Sequence, residues 1–132
     1  MAWKILAVDD DPDILEAIRL ILESRGYEVI GARNGLQALE KMKIEKPALM
    51  ILDLLMPEMD GFDVCKALSN PPWPDEYGEM PVLILTSVRE EASRRRYKLE
   101  TGRELGADDY LEKPFIPEML LEKIEKLIVK NT

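Results

Sequence analysis

Ala48-Leu49-Met50-Ile51-Leu52-Asp53-Leu54-Leu55-Met56-Pro57-Glu58-Met59-Asp60-Gly61 opens as an unbroken apolar run, meets one carboxylate and then turns. A run of this length bounded by Pro47 and Pro57 reads as a strand covered on both faces, as in the middle of a parallel sheet. Side chains at the carboxyl end of such a strand face the crevice where open α/β sheets bind ligands, which makes Asp53 the first candidate for chemistry. A strand-ending aspartate also serves to cap the next turn. The stretch alone leaves both readings open.

Outward from this run the chain alternates strand and helix. Trp3 to Val8 reads as a first strand ending in Asp9, Asp10 and Asp11. Asp11 before Pro12 is the pattern of an N-cap with proline at the first helical position, and Ile14, Ile18, Ile21 and Leu22 recur at helical spacing up to Gly26. Tyr27 to Ala32 reads as a second strand. Asn34 is placed to cap a second helix with Leu36, Leu39 and Met42 on its apolar face, closed by Lys46-Pro47. A third helix follows Gly61 to about Leu68, and residues 69–78, with Pro71, Pro72, Trp73 and Pro74, form a loop. Pro81 to Thr86 is a fourth apolar strand, 88–105 a charged helix, and Ala107 to Glu112 a fifth strand before Lys113-Pro114. Pro117 opens a last helix with Leu120, Ile124, Leu127 and Ile128 inward.

The 132 residues suit one domain, 1–132, with enough length for a real core. A net charge of −8 disfavours direct binding to nucleic acid or to an anionic membrane, since either needs a basic face. No apolar stretch approaches the roughly 20 residues that span a bilayer and no leader pattern is read, so the expected location is cytoplasmic. The one cysteine, Cys65, sits among apolar neighbours and is expected to be buried. Histidine is absent, which removes His-ligated zinc, His-assisted nucleophiles and a phosphohistidine on this chain.

Alternation with doubly buried strands predicts an α/β fold, a five-stranded parallel sheet with helices on both faces. The right-handed crossover rule favours the order 2-1-3-4-5 of flavodoxin-like (βα)5 sandwiches, whose switch point lies between strands one and three. Those strands end in Asp9, Asp10 and Asp53. Three carboxylates at one crevice repel unless a cation neutralises them, and an all-oxygen set selects Mg2+ or a similar hard ion such as Mn2+. Thr86 and Lys113 end strands four and five on the same edge. A metal, a carboxylate nucleophile, an ammonium and a hydroxyl are the parts needed to hold a phosphoryl group during in-line transfer to Asp53.

With these residues the sequence resembles the receiver domain of bacterial two-component response regulators along its whole length. The matching pieces are Ile5-Leu6-Ala7-Val8-Asp9-Asp10, Asp53 to Gly61, Leu83-Ile84-Leu85-Thr86-Ser87, and Gly106-Ala107-Asp108-Asp109-Tyr110-Leu111-Glu112-Lys113-Pro114-Phe115. The resemblance implies that Asp53 is the phosphoacceptor, Asp10 a direct metal ligand, Asp9 a ligand through water, and the Leu55 main-chain carbonyl the third protein ligand. It further implies that Lys113 and Thr86 contact the phosphoryl oxygens, that Tyr110 moves inward as the switch, and that Lys113-Pro114 is cis. Leu55 and Val88 would overhang the phosphoryl group and, being apolar, slow its hydrolysis.

Two segments, 69–80 and 88–105, look longer than in a typical receiver, and Arg94-Arg95-Arg96 lies in the second. A haloacid-dehalogenase-type phosphatase would place a second acid two residues after its nucleophile, where this chain has Leu55. A flavodoxin would need a hydroxyl- and glycine-rich phosphate loop where this chain has Asp9-Asp10-Asp11-Pro12. The expected protein is therefore a phosphorylation-controlled switch with no output domain of its own, catalysing only its own phosphorylation and dephosphorylation. Its phosphoryl donor would be a sensor histidine kinase or phosphotransfer protein, its output a downstream protein target, and its state a monomer or a phosphorylation-dependent dimer.

Overall fold

Aliphatic runs separated by capped helices give five parallel strands in a computed structural model that describes residues 2–56, 58–68, 80–87 and 107–130. The strands are β1 (Lys4–Val8), β2 (Glu28–Ala32), β3 (Leu49–Asp53), β4 (Val82–Thr86) and β5 (Asp109–Glu112). The helices are α1 (Pro12–Glu23), α2 (Gly35–Glu45), α3 (Gly61–Leu68) and α4 (Pro117–Lys130). The sheet order is β2-β1-β3-β4-β5, as the alternation predicts. The expected helix over 88–105, with Val88 and Arg94 to Arg96, and the Trp73 loop lie outside the described residues.

Strand periodicity divides the core in two. Ile5, Ala7, Ile51, Leu83, Leu85 and Leu111 point to the face covered by α1 and α4, where Ile18, Leu22, Leu120 and Ile124 meet them. Leu6, Val8, Met50, Leu52 and Ile84 point to the other face, against Ala38 and Met42 of α2 and Val64 of α3. Every residue of β3 and β4 is buried, which is why these strands read as continuous apolar runs instead of alternating ones.

The caps follow the sequence. Asp11 accepts from the Asp13 N–H and Asn34 from the Gln37 N–H, each satisfying a donor that the first helical turn leaves unpaired. Gly26 is left-handed, φ 86°, two residues past the Ser24 C-cap of α1. Lys46 ends α2 in the left-handed region. One residue of the expected apolar face differs: Met42 is buried and Leu39 half-buried against the core, but Leu36 is exposed, and Gly35 and Ala38 turn inward. Gly35 packs so closely on the chain after β3 that a β-carbon there would lie 2.6 Å from Met59 Cγ. No helix among the described residues is long and apolar enough to cross a membrane.

Two outcomes check this packing. Leu52→Ala, at a fully buried site, should cost about 2–5 kcal/mol in urea unfolding, while Leu20→Ala at an exposed site should stay within about 0.5 kcal/mol. Burial, with the charge of Asp60 adding to it, pushes the Cys65 thiol up to about 12. Thiolate is the reactive form, so Cys65 in the native protein should resist iodoacetamide at about pH 8 and react readily once urea unfolds the chain.

Candidate functional site

All five strands end on the same edge, so the residues that follow them share one crevice. Asp9 continues the ladder beyond β1, its N–H donating to the Ala32 carbonyl at 3.1 Å. Its buried carboxylate accepts the Asp11 N–H at 2.9 Å on one oxygen and the Lys113 ammonium at 3.1 Å on the other. Asp53, the last residue of β3, is buried and accepts from the same ammonium at 3.1 Å. Lys113 follows β5 across a strand end fixed by its own N–H, which donates to the Thr86 carbonyl at 2.6 Å. Thr86 closes β4 and is buried, and the Lys113-Pro114 peptide is cis.

One ammonium thus links the ends of β1, β3 and β5. Asp10, half-buried, completes the acidic group: one carboxylate oxygen from each of Asp9, Asp10 and Asp53 lies within 4.8 Å of the others. Capping of α3 falls to Asp60, which exchanges hydrogen bonds with Asp63 (2.9 Å to the Asp63 N–H, 3.3 Å in return).

Electrostatics give the cluster its character. Burial raises the Asp9 carboxyl above its ordinary value, against the lowering effects of the Asp11 N–H and of Lys113. Burial alone would pull the Lys113 ammonium down, but the charges of Asp53 and Asp9 prevail and raise it. Three carboxylates against one ammonium leave two negative charges uncompensated within the cluster. An oxygen-only donor set with that deficit fits a hard divalent cation such as Mg2+.

The remaining predicted residues fall around this centre. Leu55 lies in the loop after β3, half-buried, and Glu58 further along it is left-handed at φ 65°. Tyr110, in β5, pairs with Ile84 and packs against the α2–α3 side of the core. Sequence reasoning passed over three features. It did not foresee that Lys113 ties the two acids together. It also missed Arg33, whose guanidinium donates to the Asp10 carbonyl at 3.1 Å, and Gly35, whose N–H donates to the Met59 carbonyl at 2.7 Å. The Asp60-x-x-Asp63 spacing was a legible capping signal; Arg33 and Gly35 carried none.

A family profile for the response regulator receiver domain matches residues 5–125. The chain belongs to that family. It is 39% identical over 131 residues to the alkaline phosphatase synthesis transcriptional regulatory protein PhoP of Bacillus subtilis, covering 99% of this chain and 50% of that protein. It is 41% identical over 129 residues to a probable transcriptional regulator ycf27 of Porphyra purpurea, covering 95% and 47%. The chain thus spans about half the length of the curated relatives it matches. Among solved structures, the receiver domain of a signal transduction histidine kinase from Syntrophus aciditrophicus superposes with a TM-score of 0.82 at 34% identity, covering 98% of this chain and 92% of that one. The chemotaxis response regulator CheY4 of Vibrio cholerae does so with 0.77 at 32%, covering 96% and 99%. The receiver is a phosphorylation-activated switch of two-component signalling, a signalling unit whose fold is that of its chemotaxis relatives.

Asp9 yields a pH test. Its folded-state value lies above the ordinary 3.8, so its contribution to stability is fully present below that value and is lost as pH rises through the raised one. In EDTA, Asp9→Asn should therefore raise the urea midpoint near neutral pH, and the gain should vanish as pH falls below the ordinary carboxylate range.

Proposed function

We propose that Asp53 accepts a phosphoryl group from a phosphohistidine of a sensor kinase or phosphotransfer protein, and that the receiver then changes the face it offers a downstream protein. The observation that carries this reading is the Lys113 ammonium, 3.1 Å from both Asp9 and Asp53 at the end of the central strand. A carboxylate oxygen of Asp53 attacks phosphorus in line. The phosphorus–nitrogen bond of the donor breaks, and its electron pair stays with the imidazole. No proton has to leave the nucleophile, so the chain needs no general base, and rate comes from positioning and charge neutralisation.

Asp9, Asp10, Asp53 and the Leu55 main-chain carbonyl would hold Mg2+, Asp9 through water. The bound ion would offset the charge of the phosphoryl oxygens. Once Asp53 is an acyl phosphate its carboxyl no longer competes as an anion for Lys113, which is then left to pair with Asp9 and a phosphoryl oxygen. The Thr86 hydroxyl would donate to another oxygen, and the space it vacates would draw Tyr110 inward, coupling the site to the edge built by β4 and β5. The apolar Leu55 side chain would hold no water behind phosphorus, favouring a long-lived acyl phosphate. With a net charge of −8, the receiver reads as a cytoplasmic unit that acts through a protein partner rather than by touching nucleic acid itself.

Incubation with Mg2+ and acetyl phosphate should add one phosphoryl group, seen by intact mass and mapped to Asp53, and Asp53→Asn should abolish it. Modification of that variant at the wild-type rate, or mapping to Asp60, would overturn the assignment.

A further inference from the structure

The chain between β3 and α3 carries the Leu55 carbonyl, and two glycines hold its described residues. At its far end the Gly61 N–H donates to the Leu54 carbonyl at 2.9 Å, and a β-carbon on Gly61 would collide with the Asp53 carbonyl and sit 2.7 Å from Leu54 Cα. Gly61 belongs to the helix the loop feeds, so its contact is local. The other pin is not. Gly35, the first residue of α2, donates its N–H to the Met59 carbonyl at 2.7 Å. That N–H is one of the four donors a helix start leaves unpaired, and here it is spent on the loop beside the acidic cluster.

The crowding at Gly35 is backbone as well as side chain. An added β-carbon would lie 2.7 Å from the Met59 carbonyl oxygen, 2.6 Å from Met59 Cγ and 2.8 Å from Val64 Cγ2. Val64 is fully buried and α2 is held to the sheet by Ala38 and Met42, so neither wall yields easily. The remaining neighbour of an added β-carbon is Met59, by both its carbonyl and its side chain. Gly35 does not have a left-handed φ, so its lack of a side chain serves close approach and not an unusual backbone conformation.

We propose that Gly35 is a positioning residue for cation binding: by letting α2 seat on the Met59 carbonyl, it sets the depth at which the Leu55 carbonyl lies beside Asp53. The inference rests on the reading of the acidic cluster as a Mg2+ site. A residue that only orients ligands acts through affinity, and loss of such support weakens metal binding by about 10–100-fold.

Gly35→Ala should raise the Mg2+ concentration for half-maximal thermal stabilisation, and for half-maximal acetyl phosphate labelling, by about tenfold or more. Labelling at saturating Mg2+ should stay near wild type. Val64→Ala, which loosens the same packing without pushing the loop, should lower the melting temperature yet keep wild-type Mg2+ affinity. Equal loss of affinity in Val64→Ala would show general destabilisation and overturn the proposal, as would wild-type affinity in Gly35→Ala. If Gly35→Ala does not fold, Gly35→Ala with Met59→Ala removes the nearest side-chain atoms but keeps the carbonyl crowding, and wild-type affinity there also overturns it. Failure of the wild-type protein to bind Mg2+ would instead sink the reading of the site itself.

Discussion

The contact between the Lys113 ammonium and the carboxylates of Asp9 and Asp53 is the interaction on which the crevice depends. Two buried acids beside each other would each be costly in an apolar surround, and a shared cation is what makes their burial tolerable. The arrangement is incomplete by design of charge, since Asp10 adds a third acid that the single ammonium does not offset. A site poised in this way responds to any group that alters its charge, whether a divalent cation or a phosphoryl group. Rigidity comes from beneath: β3 and β4 are buried throughout, so the ends carrying Asp53 and Thr86 are fixed by packing.

The fold was legible because its strongest signals are periodic and local. Doubly apolar strands such as Met50-Ile51-Leu52 and Leu83-Ile84-Leu85 admit few alternatives, and the caps at Asp11 and Asn34 state where helices begin. The acidic cluster was legible because parallel strands deliver their carboxyl ends to one edge, which is where Asp9, Asp10, Asp53 and Lys113 meet. What the sequence could not show is pairwise geometry. Lys113 reaching two acids at once depends on where β5 lies relative to β1, and that is fixed by tertiary packing. Leu36 was assigned to the inner face of α2 by apolar character, but the inward place beside it belongs to Gly35, which has no side chain to announce its close contact.

The two faces of the sheet divide their tasks unequally. On one side α1 and α4 pack on Ile51, Leu83 and Leu111 with long aliphatic residues. On the other, Met42 of α2 and Val64 of α3 pack on the sheet, and the first residues of these helices, Gly35 and Gly61, bring helix backbone close to the chain that follows Asp53. Both sides support the core with bulk; the second also couples helix starts to the site. Arg33 adds to that second side by tying the start of α2 to the Asp10 carbonyl.

The reach of Lys113 along the chain has a further consequence. Its partners lie 104 and 60 residues earlier, so the acidic centre cannot form until β5 and the residue after it have been made. While β1 and β3 have emerged from the ribosome and β5 has not, Asp9 and Asp53 have no ammonium to share and gain nothing from being buried together. The nascent chain therefore lacks its charge-compensated centre until the fifth strand arrives, and the docking of that strand brings the neutralising charge along with the sheet edge. Docking of the fifth strand and assembly of the charge-compensated centre are, in this molecule, the same event.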